Sequence, residues 1–78
     1  MKIEILGPGC AKCKQLYENA REALKQAGVE AEIVKVEDLK AISGYNVFMT
    51  PALVLNGAVK VTGKVVPPEQ IKKWILGQ

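Results

Sequence analysis

The apolar residues change period once within the first 28 positions, and that change restricts the fold more than any other feature of the chain. Lys2 to Leu6 is a short apolar run broken only by Glu4, and Gly7-Pro8-Gly9 ends it, which predicts a strand. From Ala11 to Ala27 the spacing turns helical. Leu16, Ala20, Ala23-Leu24 and Ala27 recur at threes and fours, with Lys14, Glu18, Arg21, Glu22 and Lys25 on the other faces, and Gly28 supplies a left-handed cap. Val29 to Val36 returns to β-branched character, with Glu30, Glu32 and Lys35 suited to an edge strand. A strand, a helix and a second strand in this order predict two parallel strands joined by a crossover.

The remaining segments are shorter. Asp38 is placed to cap a helix from Leu39 to about Tyr45, with Gly44 or Asn46 at its end. Ala52–Leu55 and Ala58–Val61 are two apolar runs around Asn56-Gly57, a pair suited to the two positive φ angles of a type I′ hairpin. Pro67-Pro68 opens a final helix with Ile71, Trp74 and Ile75 as its apolar stripe and Gly77 beyond its end, although no polar N-cap precedes it. The predicted order is β-α-β-α-β-β-α: an α/β chain with a four-stranded mixed sheet flanked by helices, in a single domain over residues 1–78. Internal repeats, linkers and low-complexity tracts are absent from the sequence.

Composition excludes several functions. The net charge is only +3, and the eleven Lys and Arg residues are dispersed apart from Lys72-Lys73. With one Phe, two Tyr and one Trp there is no aromatic platform to accompany them, so a nucleic-acid partner is not expected. No stretch approaches the roughly 20 apolar residues needed to span a bilayer. The opening run, Ile3-Glu4-Ile5-Leu6, is too short and too acidic for a targeting core. A cytoplasmic location without membrane association is expected, as a monomer, since nothing demands a dimer. Two cysteines separated by two residues do not make a disulfide framework, which uses more cysteines at wider spacings.

That pair, Cys10-Ala11-Lys12-Cys13, falls where the first strand hands over to the first helix. Residues three apart on a helix have Cβ atoms roughly 5–6 Å apart. A disulfide needs about 3.5–4.5 Å, so a small relaxation closes one. Cys10 is predicted at the helix N-terminus, where unpaired N–H groups and the macrodipole favour a thiolate, and Lys12 and Lys14 add positive potential. Cys13, one turn further in, is predicted to face the body of the domain. Cys10 is then the attacking thiol and Cys13 the resolving one. The alternatives are inert, partly buried thiols or a metal site. Structural zinc takes four Cys or His ligands, and this chain has two Cys and no His, so a closed zinc site within one chain is excluded. A two-thiolate copper(I) site stays open, because soft thiolates select that ion.

Gly9-Cys10-Ala11-Lys12-Cys13 and Thr50-Pro51, in this order of elements, resemble the thioredoxin/glutaredoxin superfamily. The nearest likeness is to the short, glutaredoxin-sized redox-active disulfide proteins of bacteria and archaea. Gly7-Pro8-Gly9-Cys10, Thr50-Pro51-Ala52-Leu53, Asn56-Gly57 and Gly63 all stand where that group's pattern has them. The resemblance covers essentially the whole chain and implies a thioredoxin-like fold. It also implies a Pro51 that follows a cis peptide bond and lies against the cysteines, with the Thr50 backbone offering hydrogen bonds to an extended substrate peptide. Gly9 and Lys12 would border the same binding surface. Two departures stand out. Gly9 replaces the tryptophan before the first cysteine of thioredoxin, and Ala11-Lys12 replaces its Gly-Pro. Thr62-Gly63-Lys64-Val65 also lacks the glutaredoxin Gly-Gly-Asp segment, so glutathione binding is not supported.

Glu4 lies six residues before Cys10, and thioredoxin places a buried acid at about that spacing as a proton acceptor. The resemblance therefore nominates Glu4 to accept a proton from Cys13. The alternative is a strand-end carboxylate that reaches solvent or pairs with a lysine. Tyr45, Trp74, Val59 and Val61 are read as packing. The expected function is that of a thiol–disulfide oxidoreductase that reduces protein disulfides through a reversible Cys10–Cys13 disulfide. No bound cofactor is required, and family likeness implies a thioredoxin-reductase-like flavoenzyme as electron donor. A copper(I) carrier using the same thiols, or an adaptor that has lost turnover, is the alternative.

Overall fold

The computed structural model describes residues 1–9 and 11–77; Cys10 and Gln78 lie outside the described residues. The elements run β1 (Lys2–Leu6), α1 (Ala11–Ala27), β2 (Glu32–Val36), α2 (Leu39–Ser43), β3 (Ala52–Leu55), β4 (Ala58–Thr62) and α3 (Pro68–Ile75). The sheet order is β2-β1-β3-β4. β1 pairs parallel with β2 and antiparallel with β3, and β3 pairs antiparallel with β4, so the sheet is mixed as expected.

Strand alternation divides the core into two layers. Ile3, Ile5, Leu53 and Leu55 face α1 and α3, where they meet Leu16, Ala20, Ala23, Leu24, Ile71 and Ile75. Leu6, Ala52 and Val54 face the other way and pack with Ile42 of α2 and with Val47. β3 is covered on both sides, which explains why all four of its residues are buried. A strand in that position reads as a continuous apolar run.

Three boundaries differ from the expected ones, each for a local reason. β2 begins at Glu32 and not at Val29 because the preceding residues complete the end of α1. Gly28, at φ +67°, donates to Lys25 O, and Val29 donates to Leu24 O. This Schellman arrangement uses up the backbone that a longer strand would need. α2 stops at Ser43. Asp38 caps it by accepting from Lys40 N, Gly44 stays right-handed, and Asn46 at φ +58° turns the chain. β4 runs one residue further, to Thr62. Its register with β3 shifts between the Leu53–Val61 and Val54–Val59 pairs, which leaves Lys60 as a bulge. The hairpin itself is as expected, with Asn56 at φ +49° and Gly57 at φ +84°. Asn56 is also tied back to β1, its Oδ1 accepting from Lys2 N at 2.9 Å.

Candidate active site

Gly7-Pro8-Gly9 carries the chain from β1 to α1 across the end of the sheet. Gly7 N donates to Val36 O at 2.9 Å, extending the β1–β2 pairing by one residue. A Cβ at Gly7 would collide with Cys13 Sγ, and it would stand 3.4 Å from Cys13 Cβ and 3.7 Å from Thr50 Cβ. The end of β1 and the first turn of α1 therefore meet at Gly7 with the approach to β3, some forty residues further along the chain. The missing side chain lets the sulfur lie against the strand backbone. From the sequence Gly7 reads as a strand terminator within the Gly7-Pro8-Gly9-Cys10 pattern, since nothing in a Gly-Pro-Gly run distinguishes a turn from a close approach.

Cys13 is buried, with 5% of its surface exposed. Its partner in the motif, Cys10, is outside the described residues, and so is any geometry between the two. Lys12 is exposed on the outer side of the first turn. Gly9 adopts φ +90°, where an L side chain is strained, and a Cβ there would lie 3.1 Å from Glu37 Oε2. Beside Cys13 opens a cleft of about 280 Å³ between Gly7-Pro8-Gly9 and β2, lined also by Ile5, Lys14, Lys35 and Glu37. The Lys35 ammonium stands 4.4 Å from the ring centre of Tyr17, on the α1 side of this strand.

Across from the helix, the Thr50–Pro51 peptide bond is cis. Thr50 is exposed and Pro51 is buried, and Pro51 O accepts from Gly63 N at 2.8 Å. Gly63, at φ +76°, also seats Met49, whose Cε would lie 3.0 Å from a Cβ at that position. Phe48 precedes Met49 and is 94% exposed. An apolar lip of Phe48 and Met49 thus leads into Thr50.

Glu4 is on the other side of the sheet. It shares a face with Leu6 and Val54, whereas Cys13 belongs to α1 on the opposite face. Its Oε2 accepts a hydrogen bond of 2.6 Å from the Tyr45 hydroxyl. That bond, chiefly, then desolvation and the carboxylate's charge raise the Tyr45 pKa above its usual value of 10.0. The partner of Glu4 is thus a tyrosine just beyond α2, a residue the sequence reading treated as packing. Among the described residues, no group of three or more His, Cys, Asp or Glu side chains could hold a metal ion. Among the described residues, no helix is long and apolar enough to cross a membrane.

The family described as "Thioredoxin domain" matches residues 1–76. The chain belongs to the thioredoxin family. A thioredoxin of Methanothermobacter thermautotrophicus is 42% identical over 73 residues, covering 94% of this chain and 95% of that protein. A thioredoxin of Methanocaldococcus jannaschii is 42% identical over 71 residues, covering 91% and 81%. As a thioredoxin-family member the protein is a small thiol–disulfide oxidoreductase, and the copper-carrier and adaptor alternatives gain no support from these relatives.

Proposed function

We propose that this thioredoxin-family protein reduces the disulfides of protein substrates in the cytoplasm, as a monomer, with Cys10 as nucleophile and Cys13 as resolving thiol. The Cys10 thiolate attacks one sulfur of the substrate disulfide. The substrate S–S bond breaks, a mixed disulfide forms at Cys10, and the departing sulfur takes up a proton. Cys13 then loses its proton and attacks the Cys10 sulfur, which releases the second substrate thiol and closes Cys10–Cys13. Two electrons and two protons pass from the dithiol to the substrate. A flavoenzyme of the thioredoxin-reductase kind restores the dithiol. Gly9, Lys12, Thr50 and Pro51 border the surface where the substrate chain lies.

The observation that carries this reading is the burial of Cys13 against Gly7 in the first turn of α1, where Thr50 meets the same glycine. A sulfur so placed is withheld from bulk solvent and from bulky disulfides, three residues after Cys10 in the motif. That is what a resolving thiol requires. The test is the midpoint potential of the Cys10/Cys13 pair, read by trapping thiols after equilibration in graded thiol–disulfide buffers. A value between about −200 and −300 mV supports a reductant, and one near −120 mV indicates an oxidant. Failure to form an intramolecular disulfide anywhere in that range removes the proposal.

A further inference from the structure

The segment Gly44–Thr50 joins α2 to the site, and two contacts bind it to the sheet. Val47 is buried with Leu6, Ile42 and Val54. The Tyr45 hydroxyl donates a hydrogen bond of 2.6 Å to Glu4 Oε2. Beyond Val47 the chain leaves the core. Phe48 and Met49 are 94% and 63% exposed, and the chain returns only at buried Pro51, whose carbonyl is held by Gly63 N. The exposed lip that leads into Thr50 therefore hangs between an anchor on β3–β4 and an anchor on β1. Glu4 and Gly7 both belong to the β1 run, three residues apart. One face of that run meets Cys13 at Gly7, and the other holds Tyr45 at Glu4.

We propose that the Glu4–Tyr45 hydrogen bond is a strut that sets the Phe48–Thr50 lip at its working distance from Cys13, making Glu4 and Tyr45 positioning residues for the capture of a polypeptide disulfide. The carboxylate works as an acceptor. It pairs with Val54 and lies at odd spacing from Gly7, which puts it on the face away from α1, and a short bond to a hydroxyl already holds its Oε2. Misplacement of a binding segment by about 1 Å can cost a factor of 10² in rate, so a partial loosening costs several-fold.

The inference rests on the disulfide-reductase reading, and its test separates the two. Tyr45→Phe, Glu4→Gln and Glu4→Leu are compared with the parent protein on a protein disulfide such as insulin and on a small aromatic disulfide. Gln keeps a carbonyl acceptor for Tyr45 but has no proton-accepting carboxylate. Tyr45→Phe and Glu4→Leu are expected to slow reduction of the protein disulfide about fivefold, with Glu4→Gln within twofold of the parent. All three variants should react with the small disulfide as the parent does, because it needs only the thiols. Amide exchange at Val47–Thr50 should quicken in Tyr45→Phe and stay unchanged in Glu4→Gln. Two results overturn the proposal: Glu4→Gln as slow as Glu4→Leu while Tyr45→Phe reacts normally, which makes the carboxylate a proton acceptor, or all three variants within twofold on the protein disulfide. A parent protein inert toward both disulfides defeats the reductase reading itself, and in that event unaltered amide exchange in Tyr45→Phe defeats the strut independently.

Discussion

Replacing Gly7 by Ala isolates the close approach of Cys13 to the strand. Gly7 does not have a positive φ, so alanine imposes no backbone strain, and the whole effect comes from a methyl group placed where Cys13 Sγ lies. Two responses compete. The strand and helix can separate, which strains the Gly7 N–Val36 O bond and overpacks the junction, at a cost of about 1–3 kcal/mol. Alternatively the sulfur can rotate, and an off-rotamer χ1 costs only about 0.5–1.5 kcal/mol. Rotation is the softer response, and Thr50 and the Cys13 stem limit how far it goes. Lower chain entropy in the unfolded state returns about 0.4–1 kcal/mol. The expected net loss of stability is therefore about 1 kcal/mol, or roughly 4–8 °C in Tm for a domain of this size. The functional loss is larger, since a resolving sulfur displaced by about 1 Å should slow closure of the disulfide on the order of 10²-fold. Urea unfolding gives the first quantity, and the lifetime of the mixed disulfide in rapid acid quench gives the second. Gly28→Ala serves as the control. It adds strain at φ +67° but meets nothing within 4 Å, so it should cost stability and leave the lifetime alone. A Gly7→Ala protein with unchanged mixed-disulfide lifetime would refute the reasoning.

Three further outcomes follow from named contacts. Cys13→Ser should accumulate a stable mixed disulfide between Cys10 and substrate, visible as a mass adduct, and an adduct that resolves as fast as in the parent would deny Cys13 its role. Leu16 is fully buried between α1 and the sheet, so Leu16→Ala should cost about 2–5 kcal/mol in denaturant unfolding, and a loss under about 1 kcal/mol would mean the helix packs otherwise. Tyr45 has a folded pKa raised above its unfolded value of 10.0, so its contribution to stability is complete below pH 10 and is lost as pH climbs through the raised value. Stability above pH 10 should therefore fall more steeply in the parent than in Tyr45→Phe, and parallel curves would contradict this.

The fold was legible because its signals are local. The α1 stripe, the Asn56-Gly57 turn and the cap at Asp38 each depend on residues within one or two turns of chain. What the sequence concealed depends on which groups share local backbone. Val29–Ala31 has the composition of a strand, but its first amide is drawn into the end of α1, and tertiary packing of Val29 and Ala31 on the core does the rest. The bulge at Lys60 is invisible for a similar reason: alternation in a five-residue strand is too short to show a slip of one position.

The site divides along the same line. Cys10, Cys13, Thr50 and Pro51 stand out because the chemistry of thiols and the geometry of proline mark them as residue types. Gly7, Tyr45 and Glu4 act through where they are. A glycine that admits a sulfur has the same letter as one that ends a strand, and a lone carboxylate in a central strand invites a catalytic reading until its partner is known. The face decides between them. Residues 4 and 7 of one strand run differ by an odd number, so they point to opposite sides of the sheet. A group beside Gly7 and a group bonded to Glu4 are thereby held on different faces by a single rigid element. The same parity that separates Glu4 from Cys13 lets β1 fix both the sulfur and the lip that faces it, and a shift of β1 by one residue would lose both at once.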